Sequence, residues 1–217
     1  SDTENDNIAI GFEAMTTNGA GAELNIAIGN YALDAAVTGD NNVGVGYYAL
    51  SANTSGHSNT AVGNNVLIAN TTGISNTSIG YNSLYANTTG SNNTAVGQNA
   101  LGSNTTASGN TAVAQYALNA NTTGASNSAF GYASLYTNTT GTENTALGYH
   151  ALFTNATTSS NTAVGYYALR LNVAADNTAL GHSALTANST GTQNTAVGGN
   201  ALLTNSTANN NTAVGFN

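Results

Sequence analysis

The sequence predicts an all-β fold: a parallel β-solenoid, or β-roll, of about twelve 17-residue coils, each with room for a short helical turn. Three observations predict it. The pentapeptide N-T-A-V-G at Asn161–Gly165 stands in nearly the same form at Asn7, Asn25, Asn42, Asn59, Asn76, Asn93, Asn110, Asn127, Asn144, Asn177, Asn194 and Asn211, with steps of 17 residues except one of 18 and one of 16. A period this strict makes the chain a stack of one small unit. The apolar residues recur in fixed columns of that unit, which separates the chain from a disordered one of similar Asn, Thr, Gly and Ser content. Proline is absent, as a continuous backbone ladder requires.

Numbered from its Asn, the unit reads N-T-A-V-G-Y-x-A-L-x-x-N-T-T-G-x-x. Position 4 is apolar in all thirteen copies, from Ile10 to Val214, and mostly β-branched. With Thr or Ile two residues before it, this is strand composition. Position 9 is Met15 in the first unit and Leu thereafter. Adjacent Ala and Leu do not alternate like a half-buried strand, so positions 6–11 are expected to form a helical turn or tight bend that drops the Leu into the core. Positions 12–15, N-T-T-G, carry turn residues.

Seventeen residues cannot bury their own apolar face, so stacking must do it. The expected core joins the position 4 column, with Val62, Val96, Val164 and Val197, to the position 9 column, with Leu50, Leu84, Leu118 and Leu169. If positions 2 and 4 share the core face, positions 1, 3 and 5 share the other. That face would be a flat outer strip of Asn, Ala and Gly, open to close approach by another chain. The alternative places the small position 3 inward at a crowded corner.

The whole chain, residues 1–217, reads as one solenoid domain, with complete coils over 7–210 and partial coils at 1–6 and 211–217. The partial coils nearly complement each other. End-to-end stacking is therefore expected through Asp2 and Glu4 at one end and Asn211, Val214 and Phe216 at the other; a cut from a longer array is the alternative.

Composition excludes several functions. One Arg and no Lys against nine acids give a net charge of −8. Nucleic-acid binding needs many cations to displace phosphate counterions, and anionic membranes need basic clusters. There is no Cys for thiolate–metal sites or disulfides, and no apolar run is long enough to insert in a membrane. Charged residues make up 5% of the chain, against about a quarter in ordinary soluble domains, which favours intimate self-packing.

The repeated N-T-A-V-G resembles the N-S-V-A-I-G repeat of trimeric autotransporter adhesin heads, the YadA-like family. The longer form, continuing G-Y-x-A-L-x-x-N-T-T-G, is similar to repeats of phage tail-fibre-like surface proteins. The likeness covers the whole chain, although the period is longer than in the adhesin heads. It implies a trimeric, left-handed β-roll used for adhesion.

No residue pattern points to catalysis or a cofactor. His57, His150 and His182 occupy repeat positions 16, 7 and 6 and form no ligand set. Asp2, Glu4 and Asp6 alternate and could meet Ca²⁺ through oxygen ligands, but a solvated acidic end is the simpler reading. Position 12 Asn begins an N-x-Thr/Ser sequon at Asn53, Asn70, Asn87, Asn104, Asn121 and Asn138, and again at Asn155, Asn188 and Asn205. A buried ladder of side-chain amides is the structural alternative to glycosylation, and the favoured one. Tyrosines recur at positions 6, 7 and 10, close enough between coils to stack, as a glycan surface, a contact between rods or a shield for the coil edge. The expected function is a non-enzymatic structural subunit of an extracellular or cell-surface filament or adhesin that assembles with copies of itself. The alternatives are an ice-binding solenoid presenting Thr ranks such as Thr88–Thr89 and Thr122–Thr123, and a phage tail-fibre segment with glycan contacts.

Overall fold

A computed structural model describes residues 6–17, 21–35 and 37–217. Thirteen three-residue strands, from β1 (Ile8–Ile10) to β13 (Thr212–Val214), form one sheet in strict sequence order. Every neighbouring pair is parallel and in register, as in Thr94↔Thr111 and Val96↔Val113. The chain is thus a β-solenoid of about twelve turns. At about 4.8 Å per strand the described coils stack to roughly 58 Å.

The strand is one side of the coil, but hydrogen bonds join the coils on every side. Leu50 N–H donates to the Val66 carbonyl at 3.0 Å, Asn65 N–H to Tyr47 at 2.8 Å, and Thr71 N–H to Thr88 at 2.9 Å. Positions 6–11 form no helix; they make two tight turns, closed by Ala49 N–H to Gly46 O (3.3 Å) and Asn53 N–H to Leu50 O (3.0 Å). Positive φ recurs at positions 7, 9 and 17, for example at Tyr48 (56°), Leu50 (55°) and Ser58 (59°), which no right-handed helical turn tolerates. A left-handed Leu costs about 1–2 kcal/mol, while burying its side chain returns about 1.5–3 kcal/mol. The position 9 side chain drops inward as expected: Leu50, Leu84, Leu118 and Leu169 are fully buried.

The strand alternates as expected but with its faces exchanged. Position 3 points inward, and Ala61, Ala95, Ala163 and Ala196 are fully buried. Val62, Val96, Val164 and Val197 are half-exposed on the outside, so they are not core. The reason is the bore of the coil. At Gly44, in position 3, an added Cβ would lie 3.2 Å from the Ala49 carbonyl oxygen and 3.5 Å from Leu33 Cγ. The opposite wall leaves room for a methyl group or, at Ser78, a single hydroxyl, and not for a branched side chain. The flat outer strip of Asn, Ala and Gly therefore does not exist: the Asn and Ala positions line the interior, and the Gly of position 5 is half-buried against the backbone of the next coil.

The rest of the interior is polar. Two columns of asparagine, positions 1 and 12, run buried along the stack. Asn70 Nδ2 donates to Asn53 Oδ1 of the coil before (2.8 Å) and to Gly73 O of its own coil (3.1 Å). The position 1 column adds a third link, in which Oδ1 of Asn25 accepts the backbone N–H of Asn42 at 2.8 Å. The column survives the 16-residue coil, where Asn177 N–H still reaches Asn161 Oδ1 at 3.0 Å, because the missing residue falls in the turn beside Asp176.

Candidate functional site

Two features outside the core have a composition and geometry of their own: the outer strand face and an aromatic corner.

The outer face is made by positions 2 and 4. Position 2 is Ile8, Ile26, Val43 and then Thr or Ser, and position 4 is the aliphatic column; none of the thirteen strands places a charged residue there. Several position 4 side chains are well exposed, including Ile79 at 41%, Leu147 at 48% and Leu180 at 47%. The Oγ1 atoms of Thr60, Thr77, Thr94 and Thr111 meet no partner among the described residues and face solvent beside their methyl groups. The strip is roughly 58 Å long and about 12 Å wide, on the order of 700 Å². Contiguous apolar-rich surfaces of this size mark interaction sites.

Around the bend, positions 6, 7 and 10 carry rings. At position 6, Tyr132, Tyr149, Tyr166 and His182 stack in sequence, with centroids 5.4, 5.3 and 5.3 Å apart and planes within 12°. His150, at position 7, lies between Tyr149 (4.2 Å, 4°) and Phe153 (4.4 Å, 18°). Arg170 places its guanidinium 4.6 Å from the Tyr167 ring centre. Burial, and secondarily the Arg170 charge, holds the His150 imidazole below its usual 6.5; its Nδ1 is enclosed without a hydrogen-bond partner. A smaller group joins Phe12, Tyr31, Tyr47 and Tyr48, with Tyr31 and Tyr48 stacked at 4.7 Å. One coil step sets the spacing of the position 6 stack, and neighbours within a coil, such as Tyr149 and His150, stack more closely.

The remaining expected residues fall as follows. Asp2 and Glu4 lie outside the described residues. Asn211 continues the buried ladder, its Nδ2 donating to Asn194 Oδ1 at 3.0 Å. Val214 belongs to the outer face and Phe216 to the position 6 column, and both are exposed. The sequon asparagines Asn53, Asn70, Asn87, Asn104, Asn121 and Asn138 are fully buried with Nδ2 hydrogen-bonded, so the folded coil presents no glycosylation acceptor there; the amide ladder is their role. His57 is exposed, with Nδ1 3.3 Å from Ser58 Oγ, far along the stack from His150 and His182. Among the described residues, no three His, Cys, Asp or Glu gather as metal ligands.

The Thr ranks also divide. At position 13, Thr88 Oγ1 donates to Thr105 O of the next coil at 3.1 Å and Thr122 Oγ1 to Thr139 O at 3.0 Å, so these hydroxyls are occupied along the stack. Their neighbours Thr89 and Thr123, at position 14, stay exposed, and the strand adds a second rank of hydroxyls at position 2.

No protein-family model matches the chain, and neither the curated proteins nor the solved structures give a match.

Proposed function

We propose that the chain is a non-enzymatic structural element of an extracellular or cell-surface filament or adhesin, and that it associates side by side with copies of itself through the outer strand face. The observation that carries this reading is the uncharged two-column strip of Thr and aliphatic residues on all thirteen strands. Its area per copy is close to the roughly 800 Å² a side of a stable interface. The periodic backbone lets a second copy match it coil for coil. The resemblance to adhesin-head repeats supports a trimer as the closed form of that association. Sedimentation analysis of the wild-type chain and of a Val96→Glu/Val113→Glu variant tests it. The wild type is expected to be oligomeric and the variant monomeric with unchanged circular dichroism. A wild type that stays monomeric at high concentration, or a variant that still associates, overturns the reading.

One observation favours a second reading. From Thr60 onward the position 2 hydroxyls form a regular rank on an in-register parallel sheet, beside the aliphatic column of position 4, as ice-binding surfaces require. Thermal hysteresis by the monomeric chain, abolished by Thr94→Lys/Thr111→Lys, would support it; none by the monomer would leave the assembly reading alone.

A further inference from the structure

One coil leaves out a ring. Along position 7, successive coils carry Tyr116, Ala133, His150 and Tyr167. All four share the same left-handed backbone, with φ of 62°, 50°, 53° and 58°. Since Tyr116 on one side and His150 on the other are accommodated in this conformation, residue choice alone opens the gap at Ala133. The result is a groove of about 360 Å³ over the Ala133 methyl, lined by Tyr116, Tyr132, Tyr136, His150 and Phe153. Tyr116 is turned out of the stack, with its ring at 86° to both Tyr132 and Tyr136 and 6.1 Å from each. On the far side Tyr136 and Phe153 lie parallel at 5.3 Å, and His150 stacks on Phe153.

The chemistry of the lining narrows the ligand. No carboxylate, ammonium or guanidinium lines the groove, so it offers a charged ligand no counter-charge. Three phenol hydroxyls stand around the apolar rings, each able to donate and accept. A pyranose matches both properties: its C–H face is apolar, and its hydroxyls donate and accept in turn. A proline-rich peptide also fits aromatic grooves, but its carbonyls only accept, which uses half of what the phenols offer. The groove is open, so it suits one unit of a longer chain rather than an enclosed small molecule.

We propose that the groove over Ala133 binds a neutral pyranose unit of a glycan. The site lies around the bend from the outer strand face, and it does not depend on lateral association. A chain that stays monomeric can bind sugar, and an assembled chain can fail to, so the two readings fall separately.

The test is calorimetric titration and saturation-transfer NMR of the full chain with cellotetraose, chitotetraose, mannotetraose and maltotetraose, with decaproline as the peptide probe. At least one tetrasaccharide is expected to bind, with a dissociation constant of about 1 mM or below. Ala133→Tyr refills the gap with the residue its column already uses and is expected to weaken binding at least about tenfold, with an unchanged melting profile. If the larger side chain disturbs the coil, Tyr116→Ala removes a wall instead and is expected to weaken binding likewise. Absence of binding by all four saccharides, binding by decaproline alone, or undiminished binding in a folded Ala133→Tyr or Tyr116→Ala variant overturns the proposal.

Discussion

Asn42 and Asn53 donate to the same oxygen: the carbonyl of Gly56 receives both side-chain amides at 2.9 Å. The arrangement recurs coil after coil, as at Gly124 with Asn110 and Asn121 (both 2.9 Å) and at Gly191 with Asn177 (2.9 Å) and Asn188 (2.8 Å). The carbonyl belongs to the turn that closes the coil, so the two asparagines fasten that turn from inside. Only an amide can do this. Aspartate would offer acceptors where donors are needed and stack like charges in a buried column; Gln would overrun the space.

Removing one amide should therefore cost more than a hydrogen bond. Asn93 Nδ2 donates to Ala107 O at 2.9 Å, and its Oδ1 accepts the Asn110 N–H at 3.0 Å. Asn93→Ala leaves that N–H buried without a partner. A loss of about 1–3 kcal/mol is expected for each unpaired group, read as a fall in the urea midpoint.

The exchanged strand faces make a sharp contrast testable. Leu118 is fully buried and Val113, in the same coil, is half-exposed. Leu118→Ala should cost about 2–5 kcal/mol. Val113→Ala should cost under about 1 kcal/mol and act on association instead. Denaturation of the two variants separates them; equal losses would put the valine column back in the core.

The coil, its period, its alternation and its buried Leu column were legible because each is a column in the sequence. Which strand face turns inward was not. The usual preference puts Val96 inside ahead of Ala95, but the bore is set by the carbonyl and Leu wall opposite position 3, and that wall appears only once the turns at positions 7 and 9 are in place. Those turns need left-handed Tyr, His and Leu residues, which sequence preferences assign elsewhere. The rings at positions 6, 7 and 10 could be picked out, but the groove at Ala133 could not, since its signal is a single small residue in an otherwise variable column.

Position 5 supplies a stabilising change. It is Gly in twelve copies and Ala114 in one, with φ of 120°. At the flanking Gly97 and Gly131, an added Cβ would come within 2.6 Å of the next coil's backbone. Ala114 keeps its place at the cost of strain, so Ala114→Gly should raise stability by about 1 kcal/mol and the melting temperature by roughly 2–4 °C. Gly131→Ala should do the reverse, by about 1–3 kcal/mol.

His150 gives a pH dependence. Its pKa in the folded chain is depressed below 6.5 by burial and then by Arg170, so the unfolded chain takes up the proton first as pH falls. Stability contributed by the neutral ring is full above about 6.5 and is lost as pH falls towards the folded value. Asp34 works in the opposite sense at lower pH: burial first, with Glu13 adding to it, raises its pKa, so protonation there favours the folded chain. His150→Tyr, a residue its column already uses, should flatten the slope between neutral pH and about one unit below the free imidazole value without altering the Asp34 contribution. Urea midpoints of both chains at the two pH values check it.

The last prediction concerns the one coil whose narrow bore holds two hydroxyls. Position 3 is Ser78 in that coil and Ala or Gly in every other, and the position 8 residue opposite it is Ser83. Their Oγ atoms meet at 2.6 Å, fully buried, and Ser83 Oγ also reaches Gly80 O at 2.9 Å. Ser83 donates to that carbonyl, which makes Ser78 the donor between the hydroxyls and leaves Ser83 as its acceptor. Ser83→Ala therefore strands a buried hydroxyl and should cost about 1–3 kcal/mol. Ser78→Ala keeps the Ser83–Gly80 bond and should be nearly neutral. The double variant restores the Ala–Ala pair that most other coils carry and should recover most of the Ser83→Ala loss, giving a coupling energy of about 1 kcal/mol or more in a double-mutant cycle. Additive losses would mean that the two hydroxyls do not depend on each other.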